Sequence, residues 1–197
     1  MNQVKIKNKI FETKDLEGIN FDEVEFERCV FAGSNLRFAS FSKCKFRVCD
    51  LSNTTLEIVS IDECVFEESK INNLDWSDVA ISSCSFVNSL VNNCIFAKLK
   101  PGDKHKKMKM DMRKCKFVDC DLTGGVFINA DLTKVSFKNS VLEKVIFERC
   151  KLEKTNLVGA KLDQTRFDNC DIGNAKLDLD GMIAYGQANG FVLDGID

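Results

Sequence analysis

The sequence predicts an all-β solenoid, a chain wound into square coils, opened once by an extruded loop and closed by a short C-terminal helix. The first observation behind this is a column. From Ile6 to Phe96 every fifth residue is apolar: Ile6, Phe11, Leu16, Phe21, Phe26, Phe31, Leu36, Phe41, Phe46, Leu51, Leu56, Ile61, Phe66, Ile71, Trp76, Ile81, Phe86, Val91 and Phe96. At 44 % apolar composition, nineteen consecutive hits have a chance probability on the order of 10⁻⁷, so internal repetition governs the reading. The second observation is a column of mostly small residues two positions earlier, among them Cys29, Ser34, Ala39, Cys44, Cys49 and Thr54. The third is a single break in register, at 97–111.

A period of five is neither the 3.6 of a helix nor the 2 of an ordinary strand. A unit that sends one large and one small side chain inward, and three side chains outward, turns a corner every five residues. Four units make a coil of twenty. Coils stack at about 4.8 Å, so residues twenty apart lie above one another. Phe26, Phe46, Phe66 and Phe86 are therefore expected to form one ladder. Each buried Phe or Leu contributes about 1.5–3 kcal/mol, an upper figure against an extended chain.

In chain order, residues 1–10 are expected to cover the first edge. Lys9 and Lys14 fall at inward small positions, so the first coil should be irregular, as capping repeats are. Regular coils follow through Phe96, with Trp76 in the core. The segment AKLKPGDKHKKMKMD (97–111) contains the only proline, Pro101, followed by Gly102, a turn signal. A loop is expected here, its ends returning close together. The column resumes one residue late at Met112 and continues to Leu177. Beyond it, Asp180 is expected to cap a short helix over 181–189 that Gly190 ends, followed by a small strand at 191–193. The chain thus divides into one solenoid over 1–177, with coil blocks 6–96 and 112–177, and a capping or dimerisation segment over 178–197.

Ten cysteines all fall in the small inward column, no CxxC occurs, and the only histidine is His105. The thiols read as small core residues, and no metal or cofactor is expected. A Ser or Cys nucleophile would have to use His105, which lacks an orienting carboxylate, and no phosphate-binding glycine loop is present. Catalysis and a small-molecule substrate are not expected. There is no apolar run of membrane-span length and no secretory core at the start, which points to a cytoplasmic protein without membrane contact.

The net charge of −2 hides a strong asymmetry. Residues 97–116 carry nine basic and two acidic side chains, so the rest of the chain sums to −9. The candidate loop residues are Lys98, Lys100, Lys104, His105, Lys106, Lys107 and Lys109. Acids concentrate at 12–27 and 57–78, all at outward positions of the repeat. The second block supplies a candidate partner-binding acidic face of Glu57, Asp62, Glu63, Glu67, Glu68, Asp75 and Asp78.

The segments CKFRVCDLSN (44–53), CKFVDCDLTG (115–124) and NADLTKVSFKNSVLEKVIFERC (129–150) resemble the pentapeptide-repeat family, over about residues 10–96 and 112–177. The resemblance implies a right-handed quadrilateral β-helix. Family members that protect type II topoisomerases, of the quinolone-resistance, microcin-immunity and albicidin-resistance types, combine an acidic rod, a large loop and a C-terminal dimer end. By that resemblance this chain would bind DNA gyrase or topoisomerase IV as a DNA mimic, protect it from an inhibitor or toxin, and form a homodimer through Met182, Ile183, Tyr185, Phe191 and Leu193. The alternative is a protein-interaction or scaffold module with another partner, the default for most of the family. Direct nucleic-acid binding by the lysine loop is disfavoured, because the loop has no aromatic residue for base stacking.

Overall fold

The computed structural model describes residues 4–98, 109–192 and 194. Short parallel strands stack on one another along four faces of a β-solenoid of about eight turns. The first face is a six-stranded sheet in which Val4–Lys7, Val24–Glu27, Lys45–Arg47, Val65–Glu67, Ser85–Val87 and Lys116–Val118 pair in sequence. Isolated parallel bridges, such as Ile10 to Val30 and Val30 to Asp50, hold the second face. The third is sheet from Ile95–Ala97 onward, through Val126–Ile128 and Ile146–Glu148 to Arg166–Asp168. The fourth begins with Asn20–Asp22, Ser40–Ser42, Val59–Asp62 and Val79–Ser82.

Partners are twenty residues apart before the loop, as in Phe26 against Phe46, and thirty-one apart across it, as in Phe86 against Phe117. The offset thus grows by eleven residues across this segment. The strands reach further into 97–111 than the residue pattern suggested: Ala97 pairs with Ile128, and Met110 with Ala130. The chain leaves and re-enters two positions apart on the neighbouring coil, so the loop ends do return together.

Both inward columns are buried along the middle of the solenoid and open at its ends, where Lys9 and Lys14 are exposed and Ile172, expected inside, is 42 % exposed on the last coil. The expected Phe ladder runs from Phe26 through Phe46, Phe66 and Phe86 with ring centroids 4.9, 4.7 and 4.8 Å apart, and crosses the loop to Phe117 at 4.6 Å. A second stack rises on the third face from Trp76 through Phe96, Phe127 and Phe147 to Phe167. Stacked rings of nearly parallel orientation fill a narrow interior and add attraction beyond their area.

The small column does more than make room. The Cys49 thiol donates to the Phe26 carbonyl oxygen one coil away, and Cys64 to that of Phe41. Ser69 and Thr54 donate to Phe46 and Phe31 in the same way. Carbonyls of the large column point along the interior, where water cannot reach them, and a short donor side chain satisfies them. All ten cysteines are free, nine of them buried. Burial pushes the thiols of Cys49, Cys94, Cys115 and Cys120 up to about 11 and that of Cys84 to about 12.

Each corner falls two residues after a large inward residue and takes a left-handed backbone. Twenty-four non-glycine residues have φ between 50° and 64°, and all occupy corners. Nine of them are asparagine, which tolerates this region best after glycine. Where the corner is Gly159, φ is +75°, and an added Cβ would collide with the Asn139 side chain.

The irregular first coil is present as expected. Lys9 and Lys14 are exposed, and Thr13–Asp15 forms a 3₁₀ turn. At the other end the structure corrects the sequence reading. The helix α1 (Leu179–Ala188) is capped by Asp178 rather than Asp180. Asp178 has extended backbone and its Oδ1 accepts from the Gly181 N–H at 2.8 Å, while Asp180 lies within the first turn. Residues 191 and 192 are not strand, and Leu193 lies outside the described residues. Phe191 instead folds back, its N–H donating to the Gly186 carbonyl. Among the described residues no helix is long and apolar enough to cross a membrane.

Candidate interaction surfaces

Only three outward positions per unit are free to vary, so any surface must be assembled from them across stacked coils. Five residues along the chain is a quarter turn. The acidic block therefore wraps around the rod instead of lining one side. Glu57, Asp75 and Asp78 lie on the third face, Asp62 and Glu63 on the fourth face and its corner, and Glu67 and Glu68 on the first. A sequence-local cluster becomes a spatial one only when its members are twenty apart.

On the third face such a cluster exists. Glu57, Asp75 and Asp78 line a groove of about 450 Å³ together with Asn53, Thr55 and Asn73. Asparagines stack beside it, Asn73 Nδ2 donating to Asn53 Oδ1 at 2.9 Å and Asn93 Nδ2 to Asn73 Oδ1 at 3.3 Å. Glu57 is held by Arg37 at 3.2 Å, and Glu67 by Lys45 at 2.8 Å. Among the described residues the other five acids make no ion pair.

Glu27 departs from the outward expectation in a different way. Its side chain leaves the coil on the first face but is roofed by Lys5 at 3.1 Å and Lys7 at 2.9 Å, leaving the residue 7 % exposed. The Lys7 and then the Lys5 ammonium hold its carboxyl at about 2, below the usual carboxylate range.

Two further features were missed in the sequence. Block 6–96 carries nine basic and fifteen acidic residues, a net of −6, whereas block 112–177 carries twelve basic and nine acidic, a net of +3. The rod is acidic in its first half only. The second feature lies at the corners, where Phe38, Val48 and Ile58 are 46 %, 43 % and 60 % exposed with φ of 62°, 55° and 54°. Phe38 and Ile58 are twenty apart on one corner, with the Arg37 guanidinium 4.6 Å from the Phe38 ring. Apolar residues at three alternate corners, 38, 48 and 58, were the signal available.

Of the candidate loop residues, Lys98 is half-buried and Lys109 exposed, while Lys100, Lys104, His105, Lys106 and Lys107 lie outside the described residues. The helix α1 sits on the last coil. Tyr185 packs against Phe167 at 5.6 Å, and a Cβ on Gly181 would meet Leu177 at 3.0 Å. Asp178 ties the two together, its Oδ2 accepting from the Gly159 N–H at 2.6 Å. Ile183 is half-buried, whereas Leu179, Met182, Phe191 and Val192 are exposed, an apolar surface at the end of the rod.

Comparison with known proteins adds two findings. A model of the pentapeptide repeat region matches residues 19–96, and a model of pentapeptide repeats in eight copies matches 111–149 and 146–179. Among solved structures, one trypsin-treated variant of QnrB1, a plasmid-mediated fluoroquinolone resistance protein, aligns with a TM-score of 0.60 at 14 % identity, covering 96 % of this chain and 98 % of that one. A second such variant aligns at 0.55 and 12 % identity, covering 98 % and 100 %. At these identities the likeness is one of fold. No match was found among curated proteins.

Proposed function

Because the chain belongs to the pentapeptide-repeat family, we propose that it is a binding protein whose acidic coils enter the DNA-binding groove of a type II topoisomerase and protect that enzyme from an inhibitor or toxin. The observation that carries this reading is the net −6 of block 6–96, displayed on coils of fixed spacing. Carboxylates on a straight rod offer a basic groove what duplex phosphates offer it. QnrB1, which shares the fold, is a fluoroquinolone resistance protein. In this reading the lysine loop contacts the enzyme, and the exposed apolar residues of α1 and Phe191 join two chains end to end.

The test is DNA supercoiling by gyrase with and without a fluoroquinolone. The protein is expected to restore supercoiling in the presence of drug. Replacing Asp75 and Asp78 by Asn should weaken that relief, and deleting 99–108, which spares the buried strand residue Met110, should abolish it while leaving binding to the enzyme intact. No effect of the wild-type protein on gyrase, with or without drug, overturns the proposal. Truncation after Leu177 should give monomers in sedimentation, whereas a monomeric full chain would refute the end-to-end pairing.

A second reading, a protein-interaction module for another partner, is favoured by Phe38 and Ile58. Exposed apolar side chains at left-handed corners are unfavourable for the isolated protein in two ways, and a partner that buries them accounts for both.

A further inference from the structure

The fourth face is broken where the loop returns. Val79–Ser82 ends one sheet, Met110–Asp111 pairs only with Ala130–Asp131, and no ladder bond joins the two sheets among the described residues. On the preceding coils of this face the corner N–H donates to the next coil, Lys43 to Asp62 and Glu63 to Ser82. Ser83 makes no such bond to the coil of Arg113 among the described residues. Lys114 is also the only corner on this face, from Glu23 to Asn174, without a positive φ. The ladder resumes one edge later, with Lys116 N–H to the Cys84 carbonyl.

The break opens a groove of about 460 Å³ whose wall includes Ser82, Ser83, Arg113, Lys114, Thr133 and Lys134. Its chemistry is almost entirely that of donors. Lys114 and Lys134 make no ion pair among the described residues. The Ser82 and Ser83 hydroxyls lie 3.2 Å apart. Asp111 also lines the groove but is occupied by Arg113, through Nε to Oδ1 at 2.9 Å and Nη2 to Oδ2 at 2.6 Å. Asp131 stands behind, 4.0 Å from the Arg113 Nε.

The Thr133 hydroxyl is the independent sign. In the preceding unit but one, the equivalent Thr123 donates its hydroxyl to Asp121 at 2.6 Å. At Thr133 only the backbone N–H reaches Asp131, at 3.0 Å, and the buried Oγ1 has no hydrogen-bond partner. A buried hydroxyl left unpaired is unfavourable, and this one belongs to a residue of the groove wall.

We propose that this groove binds a phosphate group, with the Lys114 and Lys134 ammoniums supplying charge and the Ser82, Ser83 and Thr133 hydroxyls supplying direction. Two free ammoniums beside hydroxyl donors suit a compact oxyanion, since charge-assisted hydrogen bonds are the stronger kind. The volume exceeds that of one phosphate, and Ile81 gives the wall an apolar part, so the groove accommodates an ester as well as the free ion. The site lies where the two blocks meet, with its basic side chains from the second, and does not depend on topoisomerase binding.

Isothermal titration of the full chain with inorganic phosphate and with ADP, at constant ionic strength, tests this. Binding of at least one probe with a stoichiometry of one is expected, and ADP the tighter of the two identifies an ester as the source. The double variant Lys114→Ala with Lys134→Ala should lose about tenfold or more in affinity. Thr133→Val should weaken binding without lowering thermal stability, an outcome a purely structural hydroxyl would not give. As a control, Lys161→Ala with Lys176→Ala should leave affinity unchanged. Failure of both probes to bind, equal affinity in the double variant, or an equal loss in the control each overturns the proposal, as does a DNA duplex that displaces both probes from the wild type and the double variant alike.

Discussion

In residues 6–96 the aromatic stack climbs the first face, the corners include Phe38, Val48 and Ile58, and acids outnumber bases by six. In residues 112–177 three stacked rings, Phe127, Phe147 and Phe167, stand on the third face, the positive-φ corners are polar or glycine, and bases outnumber acids by three. Both blocks nevertheless share one backbone path, the same buried columns and the same carbonyl-to-donor bonds one coil apart. Two of five positions hold the fold, and they are the two that hardly differ. The other three are released to carry charge, and the halves use that freedom in opposite directions.

The largest test of this comparison is in the core. Phe86→Ala and Phe147→Ala remove fully buried rings from the two blocks, and each is expected to lower stability by about 3–5 kcal/mol in urea unfolding. Because the Phe ladder crosses the loop without a gap, both variants should retain one cooperative transition. Two separated transitions, with each variant moving only one, would mean that the loop insulates the halves.

Thiol reactivity should be alike in both blocks. Labelling of the native protein at neutral pH is expected to be slow, because burial keeps Cys49, Cys84, Cys94, Cys115 and Cys120 protonated well above the usual thiol range. All ten should react after denaturation. Rapid labelling of several thiols in the folded state would contradict the buried column.

Corners should separate the halves. Ile58→Asn relieves a β-branched residue at positive φ and is expected to stabilise by about 1 kcal/mol, while Asn169→Val creates the same strain in the other block and should destabilise by a similar amount. Thermal melts of the two variants moving in the same direction would show that corner conformation does not govern these positions.

The smallest effect concerns acid. The Glu27 carboxyl, held at about 2 against an ordinary 4.5, contributes stability that is complete above the ordinary value and is lost as pH falls through the lower one. Between those limits Glu27→Gln should flatten the pH dependence of stability, and added salt should shrink the difference, because the Lys5 and Lys7 side chains that roof it are open to solvent. In the second block Lys151 and Lys154 lower Glu153 in the same sense. A Glu27→Gln profile parallel to wild type would remove the roofed carboxylate from the account.

Much of the molecule was legible in the chain because each unit repeats its own instruction. Phe26, Phe46, Phe66 and Phe86 announce a ladder, and the late return at Met112 announces the loop. The left-handed corners were legible too, in Asn53, Asn73 and Asn93 at a fixed offset, though apolar spacing alone does not reveal them. The cap at Asp178 was harder. Asp178 and Asp180 are equally suitable by residue type, and only the extended backbone leaving the last coil, with Gly159 within reach, selects the first.

The candidate surfaces were the least legible part. Glu57, Asp62 and Glu67 read as one acidic run but occupy three faces. Thr133 looks like Thr123 until the broken ladder beside it is seen. What the sequence by itself determined is the inside, since size and polarity repeated every five residues suffice to decide which side chains leave water. What only the tertiary structure decided is the company kept by each outward side chain. Neighbours on the surface are twenty residues apart, or thirty-one across the loop, and chain neighbours are sent around a corner by the same turn that makes the coil.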